Sequence, residues 1–334
     1  MKRGNIAIFV PHSGCPNACS FCNQRTISGT LKAPTPEEVG KICEEAFEKN
    51  TVDPENTQIA FFGGSFTAID RDTMVSLLKA AYPYVESKRV SGIRVSTRPD
   101  AIDAEILDIL KKYGVDSIEL GIQSMRDEVL LKNRRGHSSE DVRKSAAMIK
   151  SYGFEFGAQM MTGLYGDDDE GAVYTAKEIV KLKPDTVRIY PTVVLKGTEL
   201  ERLAECGEYE PKGVEESVKL CVELIKIFRD ANVRIIRVGL HASDNVEGEA
   251  VGGAYHPAFH ELCEAEIMRE KIADELLKYE KGKYDVFVNP KDVSKTVGQK
   301  RKNIVELKNI GYDITVKETE KLKIGEVEIK KGER

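Results

Sequence analysis

The chain has 334 residues, 41% of them hydrophobic and 31% charged, with a formal net charge of −5. So much apolar material can fill a sizeable core, which excludes general disorder. The negative balance excludes a globally basic nucleic-acid binder, but not a local basic patch. No run approaches 18 uninterrupted apolar residues, so no membrane span is expected. The apolar start, MKRGNIAIFVPHSG, ends in Pro, His and Ser and reads as a first strand, not a signal peptide. Seven cysteines, an odd number without an export signal, suggest a reducing compartment and a cytoplasmic protein.

From residue 5 the pattern alternates. Strands are expected at 5–10, 57–62, 92–96, 117–122, 154–161, 185–190 and 234–240. Helices are expected at 72–87, 103–113, 139–152, 170–182 and 215–231, with Gly114 and Gly153 as stops and Ser138-Ser139 as a cap. Apolar strands alternating with helices imply an α/β protein with a parallel sheet. About six units suit a partial (β/α)6 barrel, with a doubly wound sheet as the alternative. The unusual residues follow successive strands: Cys15 to Cys22, then Gly63-Gly64, then Ser96 to Pro99, then Gln123. In a β/α barrel those positions share one face, so one shared site is expected there.

The barrel is assigned to residues 1–243 and a linking segment with a helix near 261–279 to residues 244–281. Residues 282–334 are assigned to a small α+β domain, with a strand at 284–288, a helix at 290–296, a loop at 297–301, a helix at 302–309 and strands at 312–317 and 326–330. Residues 290–334 hold 12 Lys and Arg against 8 Asp and Glu, whereas the preceding 289 residues hold 38 against 47. The basic character is local to the end of the chain.

Cys43, Cys206, Cys221 and Cys263 are scattered, and most are expected to be small buried hydrophobes. The other three lie together in Cys15-Pro-Asn-Ala-Cys19-Ser-Phe-Cys22. Thiolates suit iron–sulfur clusters, zinc or copper(I). Structural zinc wants four closed ligands, and a fourth would have to come from elsewhere, for example His12. Three thiolates on a four-iron cubane leave one iron open, which describes a reactive cluster; a zinc knot is the alternative.

This C-x3-C-x2-C pattern, with Phe21 before the last cysteine and placed after the first strand, resembles the signature of the radical S-adenosylmethionine (radical SAM) enzymes. The resemblance implies that Cys15, Cys19 and Cys22 bind a [4Fe-4S] cluster whose fourth iron chelates S-adenosylmethionine. One electron then cleaves this cofactor to methionine and a 5′-deoxyadenosyl radical, which abstracts hydrogen from the substrate. Phe62-Gly63-Gly64-Ser65-Phe66-Thr67 resembles the family's glycine motif, where backbone approaches the methionyl amine; Gly63, Gly64, Ser65 and Thr67 are the residues concerned.

Gly121-Ile122-Gln123-Ser124 and Asn133-Arg134-Arg135-Gly136-His137 resemble a subgroup containing the oxygen-independent coproporphyrinogen oxidases and the radical half of the Elongator catalytic subunit. By that likeness Gln123 bonds the ribose hydroxyls and Arg135 pairs with the methionine carboxylate, for which a planar guanidinium is suited. The alternative for Arg135 is a solvated helix-terminal charge beside Arg134. Ser96-Thr97-Arg98-Pro99-Asp100 is also similar to the Elongator type, and Ser96 and Arg98 are expected to line the site. Met161-Thr162-Gly163-Leu164 resembles the segment near the adenine, or is simply a core strand ending in a glycine turn. The likeness covers roughly residues 5–240 and weakens towards 270. The Elongator-type subunit also carries an acetyltransferase domain, for which 334 residues are expected to leave no room.

Residues 297–304, with Gly298, Lys300, Arg301 and Lys302, sit between two short helices flanked by strands. That order resembles a KH domain, whose GXXG loop clamps a nucleic-acid backbone; Arg301 stands at the second glycine position. Basic side chains there would neutralise phosphates, or would form a solvated face on a small cap. His241, His256 and His260 are expected to be structural or to line the substrate side, and Pro257 argues against a helical His256/His260 metal pair. Cys263 is a candidate cap on the site. The expected function is a cytoplasmic radical SAM enzyme acting on RNA, specifically tRNA, fed by a flavodoxin or ferredoxin. A radical SAM oxidoreductase on a small molecule such as a tetrapyrrole, or a non-catalytic iron–sulfur nucleic-acid binder, are the alternatives. No residue is assigned as catalytic on the substrate.

Overall fold

The structure is a computed structural model that describes residues 4–11, 19–23, 32–49, 52–240 and 244–332. Its main sheet has seven parallel strands: β1 (Gly4–Val10), β2 (Thr57–Gly63), β3 (Gly92–Thr97), β4 (Val115–Gln123), β5 (Glu155–Thr162), β6 (Thr186–Pro191) and, after the short β7 (Val193–Leu195), β8 (Arg234–Val238). The order in space is β1-β2-β3-β4-β5-β6-β8, and all these pairs are parallel. A doubly wound sheet would reverse its order partway, so the steady progression makes this a partial barrel. The seven expected strands are these seven.

The helices α1 (Pro36–Glu48), α2 (Arg71–Glu86), α3 (Ala104–Lys112), α4 (Asp127–Lys132), α5 (Ser139–Ser151), α6 (Asp169–Lys181), α7 (Glu199–Glu205) and α8 (Val214–Asp230) fall between the strands. Helix α1 was not expected from periodicity, although its signals are present. Thr35 forms a reciprocal capping box with Glu38, and Pro36 opens the first turn. Helices α4 and α7 were also unexpected, being too short for a periodic signal. The buried face of the sheet and the helices form one core, with Ile8, Ile59, Ile93, Ile118, Phe156 and Ile189 on the strands against Leu77, Leu107, Ile149, Ile179 and Leu224 on the helices.

Beyond β8, the short α9 (Asp244–Glu249) leads into β9 (Ala250–Gly253), which pairs antiparallel with β7. Helix α10 (Phe259–Leu276) then enters two cores. Phe259 and Cys263 pack in the barrel core, while Met268, Ile272 and Leu276 pack with Val286, Leu307 and Ile314 of a second one. That second core belongs to β10 (Gly282–Val288), α11 (Val293–Val297), α12 (Lys302–Asn309), β11 (Tyr312–Glu318) and β12 (Val327–Lys331). Strand β10 is central, parallel to β11 and antiparallel to β12. No described helix is long and apolar enough to cross a membrane.

Candidate functional site

A cavity of about 480 Å³ opens at the carboxyl ends of the strands. Cys19, Phe21, Cys22, Gly63, Gly64, Ser65, Ser96, Arg98, Gln123 and Arg135 all line it. The chain thus brings together residues that are spread over more than a hundred positions. Cys15, His12 and His241 lie outside the described residues.

The Cys19–Cys22 turn is held by a backbone bond from Cys22 N to Cys19 O (3.1 Å) and clamped from both sides. Ser20 N donates to Asn133 O (3.2 Å), Ser20 Oγ donates to Asn133 Oδ1 (2.6 Å), and Leu200 N donates to Ser20 O (2.9 Å). Asn133 in turn donates to Val129 O and Tyr165 O. Phe21 packs on the cluster of Val194, Leu200 and Leu203, so the aromatic before the last cysteine anchors the turn. Neither Cys19 nor Cys22 is in a disulfide. The Arg135 guanidinium donates to Cys19 Sγ (3.2 Å) and to Gly121 O (2.7 Å), a fixed positive charge beside a sulfur that would be anionic as a metal ligand. Arg135 is buried, not a solvated helix-terminal charge.

The glycines act by absence of a side chain. Gly63 has φ +108°, and a Cβ there would lie 2.7 Å from Val10 O; Gly64 N donates to that same carbonyl (2.7 Å). Strand β2 is thereby turned into the cavity floor. Ser65 Oγ lies 2.8 Å from Thr97 Oγ1 and accepts from Arg98 N. Thr67, expected in the site, instead stands behind this wall, bonded to Thr97 Oγ1 and Ala101 O (both 2.5 Å). Arg98 lines the cavity with its charge already committed. It pairs with Asp100 (2.6 Å) and donates to Arg135 O (2.7 Å), so it fixes the backbone that carries Arg135.

Gln123 ends β4 at φ +66°, beside a register shift between Gly121 and Gln123. A non-glycine residue there carries strain of about 1 kcal/mol, and such strain gathers where a side chain must be aimed. Gln123 Oε1 is buried with no hydrogen-bond partner among the described residues. His137, two residues beyond Arg135, has one ring nitrogen 3.2 Å from Ile122 O and its Nδ1 buried without a partner among the described residues. Burial, and after it the Arg135 charge, push this imidazole down to about 4, so it is neutral at physiological pH.

Beneath the glycines lies a buried charged network that the sequence reading missed. Glu119 accepts from Arg94 (2.8 Å), from Arg188 (2.7 and 3.0 Å) and from Gln159 (2.6 Å). Burial pushes the Glu119 carboxyl up, but Arg188 and then Arg94 outweigh it and hold it below the ordinary carboxylate range. The signal was present in the strands. Arg94-x-Ser96, Ser117-x-Glu119-x-Gly121-x-Gln123 and Arg188-x-Tyr190 place polar residues at a period of two within apolar runs, which marks a sheet with a polar inner face.

Other expectations are corrected. Cys263 lies wholly buried beside Cys221 in the core, so it caps nothing. Cys43 and Cys221 are buried as expected, but Cys206 is exposed at the end of α7. His256 Nδ1 accepts from Ala258 N before α10 begins, and His260 within it pairs with Glu264 (3.2 Å). No group of three metal-ligating side chains occurs among the described residues. In the carboxyl-terminal module Lys300 (φ +51°) and Arg301 (φ +62°) adopt left-handed backbone after Gly298 (φ +73°). Arg301 thus takes a conformation suited to the glycine it replaces in the GXXG pattern. Both side chains are exposed and unpaired among the described residues, whereas Lys302 is neutralised by Glu215 (3.1 Å) and Glu306 (3.7 Å).

The described residues fit a cluster and a sulfonium cofactor. Two thiols share one turn beside a buried guanidinium, a glycine cradle admits no Cβ, and a buried amide oxygen has no donor among the described residues. Comparison with known proteins agrees. Residues 9–179 match the model of the Radical SAM superfamily and residues 184–269 that of the Radical SAM C-terminal domain. An uncharacterized protein of Methanocaldococcus jannaschii is 30% identical over 229 residues, 67% of each chain. The tRNA uridine(34) acetyltransferase of the same organism is 35% identical over 135 residues, which are 40% of this chain but only 25% of that enzyme. Among solved structures, the archaeal Elp3 of Methanocaldococcus infernus superposes with a TM-score of 0.64 at 24% identity, over 81% of this chain and 64% of that one. By these matches the chain belongs to the radical SAM superfamily, enzymes that use a [4Fe-4S] cluster and S-adenosylmethionine.

Proposed function

We propose that this radical SAM enzyme modifies RNA, with tRNA as its substrate, in the cytoplasm and with a flavodoxin or ferredoxin as electron donor. Cys15, Cys19 and Cys22 would hold the cluster. Arg135 would pair with the cofactor's carboxylate, Gln123 Oε1 would accept from its ribose hydroxyls, and Gly63, Gly64, Ser65 and Ser96 would border its methionyl end. When bound, the cluster and cofactor supply a one-electron cleavage that yields a radical for hydrogen abstraction. The protein's own part is to hold these groups in a cavity with a glycine floor, and to keep His137 neutral so that Arg135 is the positive charge facing the carboxylate.

One observation carries the RNA reading. Helix α8 leads into β8, so its first residues lie at the carboxyl ends of the strands, where the cavity opens. Lys302 bonds Glu215 in that first turn, which sets the exposed Lys300-Arg301 loop at the same end of the molecule as the cavity. A strand of RNA crossing the loop would reach the mouth. Two relatives named as tRNA uridine(34) acetyltransferases in methanogens support the same substrate class.

The test is anaerobic incubation of reconstituted protein with total tRNA, followed by nucleoside mass spectrometry. A new nucleoside mass that vanishes in Cys19→Ala is expected. In parallel, replacing Lys300 and Arg301 together by Glu should weaken tRNA binding about tenfold or more, while Lys302→Gln changes it little. Equal tRNA binding by all three proteins would sink the reading.

A further inference from the structure

Four register positions run across the inner face of the sheet on one rung: Gly121 on β4 pairs with Gln159, Gln159 with Arg188, and Arg188 with Arg237 on β8. All four line the cavity. Gly121 leaves room for Arg135 and Gln123, since a Cβ there would lie 3.4 and 3.1 Å from their side chains. Gln159 and Arg188 are both bound to Glu119. Arg237 alone on this rung carries a charge with no ion pair and no hydrogen bond among the described residues. It is half-buried on the last strand of the sheet.

Among the described residues that position is also an opening. The sheet does not close, because β1 and β8 are its two edges. Asn5 and Ala7 of β1, both exposed, border the cavity on one side of the gap, and Arg237 and Leu240 border it on the other. Glu119 is already shared between Arg94 and Arg188, so it has no capacity left for a third arginine. A guanidinium held in a partly desolvated cleft with no counter-ion among the described residues favours an incoming anion, and its planar fork suits the two oxygens of a phosphodiester.

We propose that Arg237 is a substrate-binding residue that takes a phosphodiester of the RNA next to the nucleotide entering the cavity, through the gap between β1 and β8. This rests on the RNA reading above and adds to it a point of entry. It also separates two arginines by role: Arg135 serves the cofactor side, and Arg237 the substrate side.

The experiment titrates unfractionated tRNA against the full-length, anaerobically reconstituted protein over a range of salt concentrations, using wild type, Arg237→Gln and Arg237→Lys. S-adenosylmethionine binding is measured separately on the same samples. Loss of one phosphate contact should weaken tRNA binding about tenfold in Arg237→Gln and reduce the salt slope by about one, with Arg237→Lys recovering the slope and S-adenosylmethionine affinity unchanged in both. Wild-type affinity and slope in Arg237→Gln would overturn the assignment and leave the RNA reading standing. A loss of S-adenosylmethionine affinity with an unchanged tRNA slope would also overturn it, by moving Arg237 to the cofactor. No tRNA binding by the wild-type protein would remove both readings together.

Discussion

Gln123 and His137 each hold an unfavourable state that the surrounding structure imposes. Gln123 takes a left-handed backbone at the end of β4, lines the cavity, and has a buried amide oxygen with no partner among the described residues. Gln123→Gly relieves the backbone strain and removes the amide. We expect stability within about 1 kcal/mol of wild type, because glycine's extra freedom in the unfolded chain offsets the relief. S-adenosylmethionine binding, read by equilibrium dialysis, should fall about tenfold. His137 gives a pH signature. Its folded value of about 4 lies below the ordinary 6.5, so between those values the unfolded chain binds the proton and the folded one does not. Stability from this site is therefore complete above about pH 6.5 and is lost as pH falls towards 4, by about 3 kcal/mol in all. His137→Gln, which stays neutral, should flatten that part of the profile in urea titrations at pH 7 and pH 5. An unchanged slope would mean that the imidazole already titrates normally.

At the scale of elements, the cysteine turn is a short loop whose order is supplied by its neighbours. Asn133, at the end of α4, receives Ser20 Oγ and donates to Val129 O and Tyr165 O, so it ties the turn to two other segments. Asn133→Ala removes all three side-chain bonds and leaves the backbone bond from Ser20 N in place. At about 1 kcal/mol for each lost bond, we expect a fold that survives but a turn that loosens. The measurement is iron per chain and visible absorbance after anaerobic reconstitution, which should both drop below wild type. Full iron loading would show that the Leu200 and Phe21 contacts suffice. Gly63 works at the same scale: Gly63→Ala would drive a methyl group against Val10 O and displace β2 from β1.

For the whole molecule, α10 is the shared beam. Its first half packs on the barrel and its second half forms part of the core of the carboxyl-terminal module. Asn303 of α12 adds a buried bond to Ala265 O in the middle of that helix. The two cores should therefore unfold together. Ile272→Ala removes a fully buried side chain from the second core and should cost about 2–4 kcal/mol. We expect one cooperative calorimetric transition, shifted to lower temperature, in both proteins. A separate early transition confined to the module would show that α10 does not couple them. The same coupling keeps the basic loop in register with the cavity, which is what the RNA reading requires.

The sequence alone determined what local chemistry can encode. Strand–helix alternation set the seven strands, and the cysteine spacing with Phe21 pointed to the cluster turn. Isolated polar residues after successive strands marked the lining from Gly63 to Arg135, because chain order and strand direction already place strand ends on one face. Tertiary structure decided which side chains are free and which are spent. Thr67 is behind the wall, Arg98 is tied to Asp100, Lys302 is neutralised by a glutamate 87 positions away, and Cys263 is core. Gln159, Arg188 and Arg237 became a lumen rung only when β5, β6 and β8 were set in register. A charge's meaning depends on its partner, and partners on different strands meet only in the folded chain.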